Sequence, residues 1–451
     1  MRYLPHTSEE IERMLKVLGL SKLEDLFKEI PPSLLEKEPL HIPESISEPE
    51  LFQTMKEMEA KNGSADRYAL FLGAGAYSHY IPSHISQLLL RSEFMTAYTP
   101  YQPEVSQGTL QAIFEFQTLI CQLLGMEIAN ASMYDGASAT AEAALMALRI
   151  KQSPSMIVAK SLHPQYRETL QTYTTHMGVK IVEIGWDRSG ALDETELKMA
   201  IKEPASALIV QSPNFFGVVE PLDRWAKRAH EENKLLIVVV TEPTSLGLLK
   251  PPGAFDADIV TGEGQAFGIP LSFGGPYLGL FASKKSFVRQ MPGRLVGETV
   301  DQEGDRGFVV TLATREQHIR RAKATSNICT NQGLYALAAT IYLSTLGKNG
   351  LRDLAFLNLQ RAAAFQKELE KLPGIEFPFS GPNFNEFVIK TDQNTPALLQ
   401  RLLEKKIVGG LDLQQFYPQF RNHLLVTVTE TTPKESWKGW TEAYLQGVPD
   451  V

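Results

Sequence analysis

Two cysteines in 451 residues are too few for a disulfide framework, and Cys121 and Cys329 stand far apart with no second Cys or His at metal-ligand spacing. Both read as reduced, mostly buried thiols, as in a cytoplasmic protein. Also missing is any apolar run near the ~18 residues that a membrane-spanning helix needs. The N-terminus turns acidic at Glu9 and Glu10, where a signal peptide would carry an apolar stretch. No basic stripe stands out, and the formal net charge is −8, which disfavours nucleic acid as a partner. Repeats and low-complexity tracts are absent. With 43% hydrophobic and 21% charged residues, the chain can bury a large core of ordinary globular kind.

The pattern along the chain falls into three parts. Residues 1–64 read as a helical arm. Thr7-Ser8-Glu9-Glu10 is a capping box followed by Ile11, Met14, Leu15 and Leu18 at helical spacing. Ser21 to Glu24 repeats the device, and Pro31-Pro32 stops that second helix. A third helix is expected to end near Gly63. Residues 65–345 alternate short apolar runs with amphipathic stretches. The runs are ALFLG (69–73), MIVA, KIVEIG, ALIVQ, LLIVVV, DIVTG and YLGLFA. Unbroken apolar runs suit strands covered on both faces, hence βαβ units in a mostly parallel sheet. Leu222 to His230, after Pro221 and before Asn233, is one expected crossover helix. From 346 to 451, a long helix (351–372), IEFPF, NEFVIK, a helix around 398–403 and LLVTVTE predict a small α+β domain.

Four segments can carry chemistry. YDGASATAEAA (134–144) feeds a small-residue turn into an alanine-rich helix; its free N–H groups suit a phosphate, with Ser138 and Thr140 adding hydroxyls. A closely packed helix start explains the same residues. EGQAFGIP (263–270) with FGGP lies between two strands, where open α/β sheets place ligands, although many such loops are only tight turns. RRAKATSNICT (320–330) mixes cations with hydroxyls and amides before a helix; it can bind an anion or merely cap the helix. Tyr98-Thr99-Pro100-Tyr101-Gln102-Pro103 is a rigid polar loop of the kind that lines sites, or that packs on a neighbouring subunit.

Together with MRYLPHTSEEIERML, FLGAGAYSHYIPSHI, TAYTPYQPEVSQGTLQAIFEFQTLICQLLGM, IANASMYDGASATAEA, SPNFFGVVEPL, GQAFGIPLSFGGPYLG and RRAKATSNICTNQ, these segments resemble the α-subunit (subunit 1) branch of the glycine decarboxylase, or P-protein, family. The resemblance implies a pyridoxal-phosphate (PLP) enzyme of fold type I: a large α/β/α domain with a mostly parallel seven-stranded sheet, and a small C-terminal domain. It implies a chain that works with a β subunit (subunit 2) as αβ or α₂β₂. The assembly decarboxylates glycine and passes the aminomethyl group to the lipoyl arm of H-protein. Reduction of the lipoyl disulfide makes the reaction an oxidoreduction.

The resemblance also shows a gap. The catalytic β subunit carries a His-Lys pair where this chain has Gly264 and Gln265, and an amide cannot form the Schiff base. PLP is therefore expected on the β subunit. Where the active subunit offers an aspartate to the pyridine nitrogen, this chain offers Glu242 or Thr241. His163 stands where a side chain often stacks on the pyridine ring, and is expected to be vestigial or structural. Ser138, Thr140, His163, Glu242 and Gln265 thus form a degenerate site. The resemblance further implies that Thr325, Ser326 and Asn327 reach the partner's PLP phosphate, and that Tyr98, Tyr101 and Gln102 line the mouth of that site. Two other readings stay open: a scaffold that touches no ligand, and a self-sufficient enzyme using Lys284 or Lys323.

Overall fold

The computed structural model describes residues 6–35, 41–95 and 98–448. The first residues of the MRYLPHTSEEIERML motif, Leu40 of the third-helix approach and Thr96-Ala97 of the TAYTPYQ run lie outside them. The chain forms two compact units, Met1–Gly63 and Ser64–Val451.

In the first unit, Thr7 caps helix Ser8–Leu18: its hydroxyl accepts from Glu10 N at 3.3 Å, while its own N–H donates to the Glu10 carboxylate at 2.7 Å. Ser47 and Glu50 do the same for helix Glu48–Glu59. The expected middle helix is shorter than its pattern. Ser21 bonds to Asp25 rather than Glu24, through N at 3.1 Å and Oγ at 2.9 Å. This cap opens only a five-residue 3-10 turn, Leu23–Phe27. Met14, Val17, Leu18, Leu51, Phe52 and Met55 remain exposed.

The second unit is built on seven strands: β1 Ile128–Ala129, β2 Ser155–Ala159, β3 Lys180–Ile184, β4 Ala207–Gln211, β5 Leu235–Val240, β6 Ile259–Glu263 and β7 Gly279–Ser283. They lie in the order β1-β7-β6-β5-β4-β2-β3. All neighbours are parallel except β7, which runs antiparallel to both β1 and β6. The continuity of the apolar runs has a direct cause. Ile157, Leu208, Val210, Leu236 and Val238 pack into one core, while Met156, Val158, Ile209, Leu235 and Ile237 pack into another. Alternate residues face opposite sides of a strand, so a sheet covered on both sides favours apolar residues at consecutive positions.

One expected strand lies elsewhere. Within ALFLG, Ala69–Leu70 pairs with Ile407–Val408 and takes no place in the seven-stranded sheet. The seventh strand is the two-residue β1, too short to show a pattern. A hairpin, Leu295–Val300 with Arg306–Thr311, also escapes the sequence reading. It is held by helix Pro103–Leu124 through two glutamines. Gln107 pairs with both backbone groups of Phe308, and Gln117 with both of Val296, all at 2.8–2.9 Å.

Helix Leu222–Glu231 matches its expected place. The helical segment Gly333–Leu369 kinks at Gly347, whose φ of 57° suits glycine. Beyond it, a four-stranded antiparallel sheet is ordered Ile375–Glu376, Glu386–Thr391, His423–Thr427, Leu411–Asp412. Helices Thr395–Glu404 and Lys434–Leu445 bury Leu398, Leu402, Trp440 and Tyr444 in its core.

Candidate functional site

The C-terminal ends of parallel strands converge where backbone groups have no further strand partners, so residues just beyond them can turn toward a common point. β2 leads to His163, β4 to Gln211, β5 to Glu242 and β6 to Gln265. The helix Gly136–Lys151 starts beside β6.

All five residues of the expected degenerate site are buried, and each is engaged by the protein. Ser138 and Asp135 cap each other: Ser138 N donates to Asp135 Oδ1 at 2.7 Å, and Asp135 N to Ser138 Oγ at 3.3 Å. Thr140 turns away from the helix end, donating to Gly136 O at 2.8 Å with Thr261 Oγ1 at 3.0 Å. The free N–H of Gly136 goes to Glu263 Oε2 at 3.0 Å. Glu263 also accepts from Leu278 N at 2.8 Å and Gln265 N at 3.2 Å. Burial pushes its carboxyl up to about 8, against the pull of these N–H donors.

His163 Nδ1 accepts from Gln165 N at 3.2 Å, and Nε2 faces Ala74 O at 2.8 Å. That pairing puts the proton on Nε2 of a neutral ring. Burial agrees, pulling the imidazole down to about 4. Glu242 has four partners: Thr244 N at 3.1 Å, the Thr244 hydroxyl at 2.5 Å, His79 Nε2 at 3.0 Å and Asn385 Nδ2 at 3.2 Å. Thr241, the alternative, accepts from Gln211 Nε2 at 3.0 Å. Gln265 accepts from Tyr77 N at 2.8 Å and donates to Tyr77 O at 3.0 Å and Ile269 O at 2.8 Å.

His79 is a residue that sequence reasoning missed. Its Nδ1 meets Glu430 at 2.9 Å and its Nε2 meets Glu242 at 3.0 Å, in a side chain only 2% exposed. Burial opposes a charge here, yet the two carboxylates, Glu242 first, carry the ring up to about 10. Glu386 was missed too. It accepts from Ala74 N at 2.7 Å, Tyr77 Oη at 3.0 Å and Thr427 Oγ1 at 2.7 Å. No local pattern marks these residues, because their partners lie 41 to 351 positions away. Glu263 sat inside a segment already singled out; a carboxylate one residue before a glycine at a strand end was the available signal.

The two expected interface segments meet through Arg294, also missed. Buried to 6% exposure, it donates to Tyr101 Oη at 3.0 Å, Cys329 O at 2.5 Å and Asn331 Oδ1 at 3.1 Å, and lies over the Tyr101 ring at 5.3 Å. Its nearest carboxylate is Glu316 at 4.0 Å. Ser326 Oγ accepts from Ile328 N at 3.0 Å, and Thr325 N donates to Arg315 O at 3.2 Å. Tyr98 is 90% exposed, and Gln102 and Asn327 are exposed. Tyr98, Thr99, Pro100, Thr330, Asn331 and Leu334 share the wall of an open cavity of about 220 Å³. Of the alternative lysines, Lys284 is held by Asp256 at 2.8 Å and Asp258 at 2.7 Å, and Lys323 lies exposed in a 3-10 turn.

The family model for the glycine cleavage system P-protein matches residues 1–441. The chain belongs to that family. It is 53% identical over 435 residues to a probable glycine dehydrogenase (decarboxylating) subunit 1 of Desulfitobacterium hafniense, covering 96% of this chain and 97% of the relative. To the protein of the same description from Thermotoga maritima it is 48% identical over 441 residues, covering 98% and 99%. The crystal structure of glycine decarboxylase (P-protein) of the glycine cleavage system, in inhibitor-bound form, superposes with TM-score 0.89 at 43% identity, covering 99% of this chain and 100% of that one. A sphingosine-1-phosphate lyase of Burkholderia pseudomallei, at TM-score 0.65 and 16% identity over 92% of this chain and 95% of that one, shares the fold.

The P-protein chain thus has the fold-type-I architecture, with a mixed seven-stranded sheet. Its own residues do not fit pyridoxal phosphate. No lysine lies in the connection from β6 to β7, and the helix end that would receive a phosphate faces the carboxyls of Asp135 and Glu263. Among the described residues no helix is long and apolar enough to cross a membrane.

Proposed function

We propose that this chain is the lysine-free subunit 1 of a two-subunit glycine decarboxylase. The observation that carries the reading is Gln265: in a chain matched to the P-protein family along nearly its whole length, an amide stands at the strand end where the fold holds its Schiff-base lysine. Subunit 2 holds PLP covalently. The assembly, αβ or a heterotetrameric α₂β₂, decarboxylates glycine and passes the aminomethyl group to lipoylated H-protein in the cytoplasm. The lipoyl disulfide is reduced, so the enzyme is an oxidoreductase of glycine catabolism.

Within this reading, Thr325, Ser326 and Asn327 offer hydrogen-bond donors to the phosphate held by the partner, and Tyr98, Tyr101 and Gln102 line the entrance for glycine and the lipoyl arm. Neutral donors suit a phosphate at a buried interface, since they bring no further charge to desolvate. The exposure of Tyr98, Tyr101, Gln102 and Asn327 supports this, as does Arg294, which joins Tyr101 to the turn at Cys329–Asn331 just beyond Asn327. Residues 65–345 and 346–451 serve as large and small domains. The arm, with its exposed Met14, Leu18, Leu51 and Phe52, wraps subunit 2. Co-purification with subunit 2, then glycine–bicarbonate exchange, tests the reading. Exchange should need both chains and PLP, and deleting residues 1–60 should weaken co-purification. Full exchange by subunit 2 alone refutes it.

A further inference from the structure

We propose that residues Ala74–His79 are a built-in occupant of the slot in which fold-type-I enzymes hold their cofactor, so that this chain's slot takes no PLP even when a lysine is restored. The inference goes beyond the partner reading and does not depend on it, because a chain that failed to bind subunit 2 would still hold this segment.

Three of the groups that would receive a part of the cofactor, His163, Glu242 and Gln265, receive a part of this segment instead, and the fourth, the helix end at Gly136, is closed by Glu263. His163, placed where a ring would stack, carries the backbone of Gly75. A Cβ on Gly75 would stand 2.8 Å from both His163 Cδ2 and Nε2, so only glycine lies this flat on the imidazole. Its φ of 97° makes the same demand. The ring is fixed there by Ala74 O at 2.8 Å. Glu242, placed where a carboxylate would face the pyridinium nitrogen, faces the doubly paired imidazole of His79 at 3.0 Å. One protonated heterocycle stands where another would. Gln265, at the lysine position, grips Tyr77 by both backbone groups. At the phosphate end the helix N–H of Gly136 is met by Glu263, and a Cβ on Gly136 would fall 2.2 Å from Tyr166 Oη.

The segment also does mechanical work that a cofactor does by lying between domains. Ala74 N and Tyr77 Oη bond to Glu386, and His79 and Tyr80 N bond to Glu430, both in the C-terminal region, at 2.7–3.0 Å. His79 simultaneously holds the end of β5. Opening the slot would break this set together and strip the buried Glu242 and Glu386 of every bond they make to the segment, leaving Glu242 to Thr244 and Asn385 and Glu386 to Thr427, which is costly. A lysine at position 265 would remove the amide that pairs with Tyr77 but would not clear Gly75 from His163 or Glu263 from the helix end.

The test uses the full-length chain. Gln265→Lys is incubated with PLP, and absorbance, melting temperature and borohydride-trapped peptides are recorded. No adduct at position 265 and a melting temperature that PLP does not shift are expected. A stoichiometric adduct there overturns the inference. Backbone hydrogen exchange of the unaltered chain decides the matter independently of whether that variant folds. The amides of Ala74, Tyr77 and Tyr80 should exchange with the slow class of β4 and β5. Exchange in the fast class of exposed turns overturns the inference as well.

Discussion

The side-chain amide of Gln265 pairs with both backbone polar groups of Tyr77, across 188 positions of sequence. A glutamine amide has the donor and acceptor of a peptide group, so it serves as one further strand residue; Gln107 and Gln117 do the same for the hairpin. Gln265→Ala leaves the buried Tyr77 N–H without a partner. The expected cost is about 1–3 kcal/mol for that donor alone, read as a lower denaturation midpoint in urea. An unchanged midpoint would show that the segment is held by other contacts.

The titration of the buried groups fixes the direction of pH dependence. His79 has a folded pKa near 10 against 6.5 for an unperturbed ring, so its contribution is complete below about 6.5 and is lost as pH rises through about 10. Glu386 and Glu263 are pushed by burial to about 7 and about 8, so each favours the folded chain less as pH rises through those values. Glu430 is the counterweight. Burial would raise it, but the hydrogen bond and charge of His79 hold it low, and its contribution falls away only on the acid side. Stability should therefore decline steadily on the alkaline side, with a further drop near pH 10 that His79→Gln abolishes. Thermal melts across pH 5–10.5 would show this. A His79→Gln variant with the same alkaline drop would rule the imidazolium out as its source.

His163 sits between Gly75, Tyr166 and Phe215, with ring centroids 4.9 Å from each of the two aromatics. A neutral ring that accepts from one backbone N–H and donates to one carbonyl has no proton to exchange near neutrality. His163→Ala should cost stability, roughly 2–5 kcal/mol for a buried ring left as a cavity, while glycine turnover by the assembled enzyme stays within a few-fold. A loss of turnover beyond about a hundredfold, near 2.7 kcal/mol, with folding intact would give His163 a catalytic role.

Sequence range separates the legible features from the hidden ones. Strands β2 to β6 were legible because a sheet covered on both faces writes unbroken apolar runs. The capping box at Thr7 obeys a three-residue rule. The lysine-free site was legible because Gln265 sits within a long matched motif. ALFLG looked like the other apolar runs, yet Phe71 packs in the C-terminal core with Ile407 and Val426. The parallel partner at 407–408 lies more than three hundred residues on. His79, Glu386 and Arg294 stayed hidden for the same reason: each is polar, singly placed, and meaningful only beside partners that folding brings in. Sequence patterning reports which side of an element is buried, but not what a buried charge faces.

Arg294 is the residue through which the loop bearing Tyr101 and the turn at 329–331 can act as one. Tyr101 and the 329–331 turn are both bonded to its guanidinium, and among the described residues no carboxylate lies closer than 4.0 Å. A cation held this way keeps the 329–331 turn, which follows Thr325 and Ser326 in the chain, in register with the loop bearing Tyr101. Thr325→Ala should weaken PLP retention by the assembled enzyme, by about 1–3 kcal/mol if one donor is lost. Tyr98→Phe and Tyr101→Phe should lower turnover with retention intact. Arg294→Met should impair both, because it releases both segments. Since Tyr101 and Arg294 are in contact, their double variant should be non-additive by about 0.5–3 kcal/mol, whereas Tyr98 combined with Arg294 should be closer to additive. PLP dissociation and glycine turnover, measured side by side on the assembled enzyme, separate these outcomes. If every variant leaves both quantities unchanged, the subunit contributes no group to the partner's site, and the polar loops serve assembly alone.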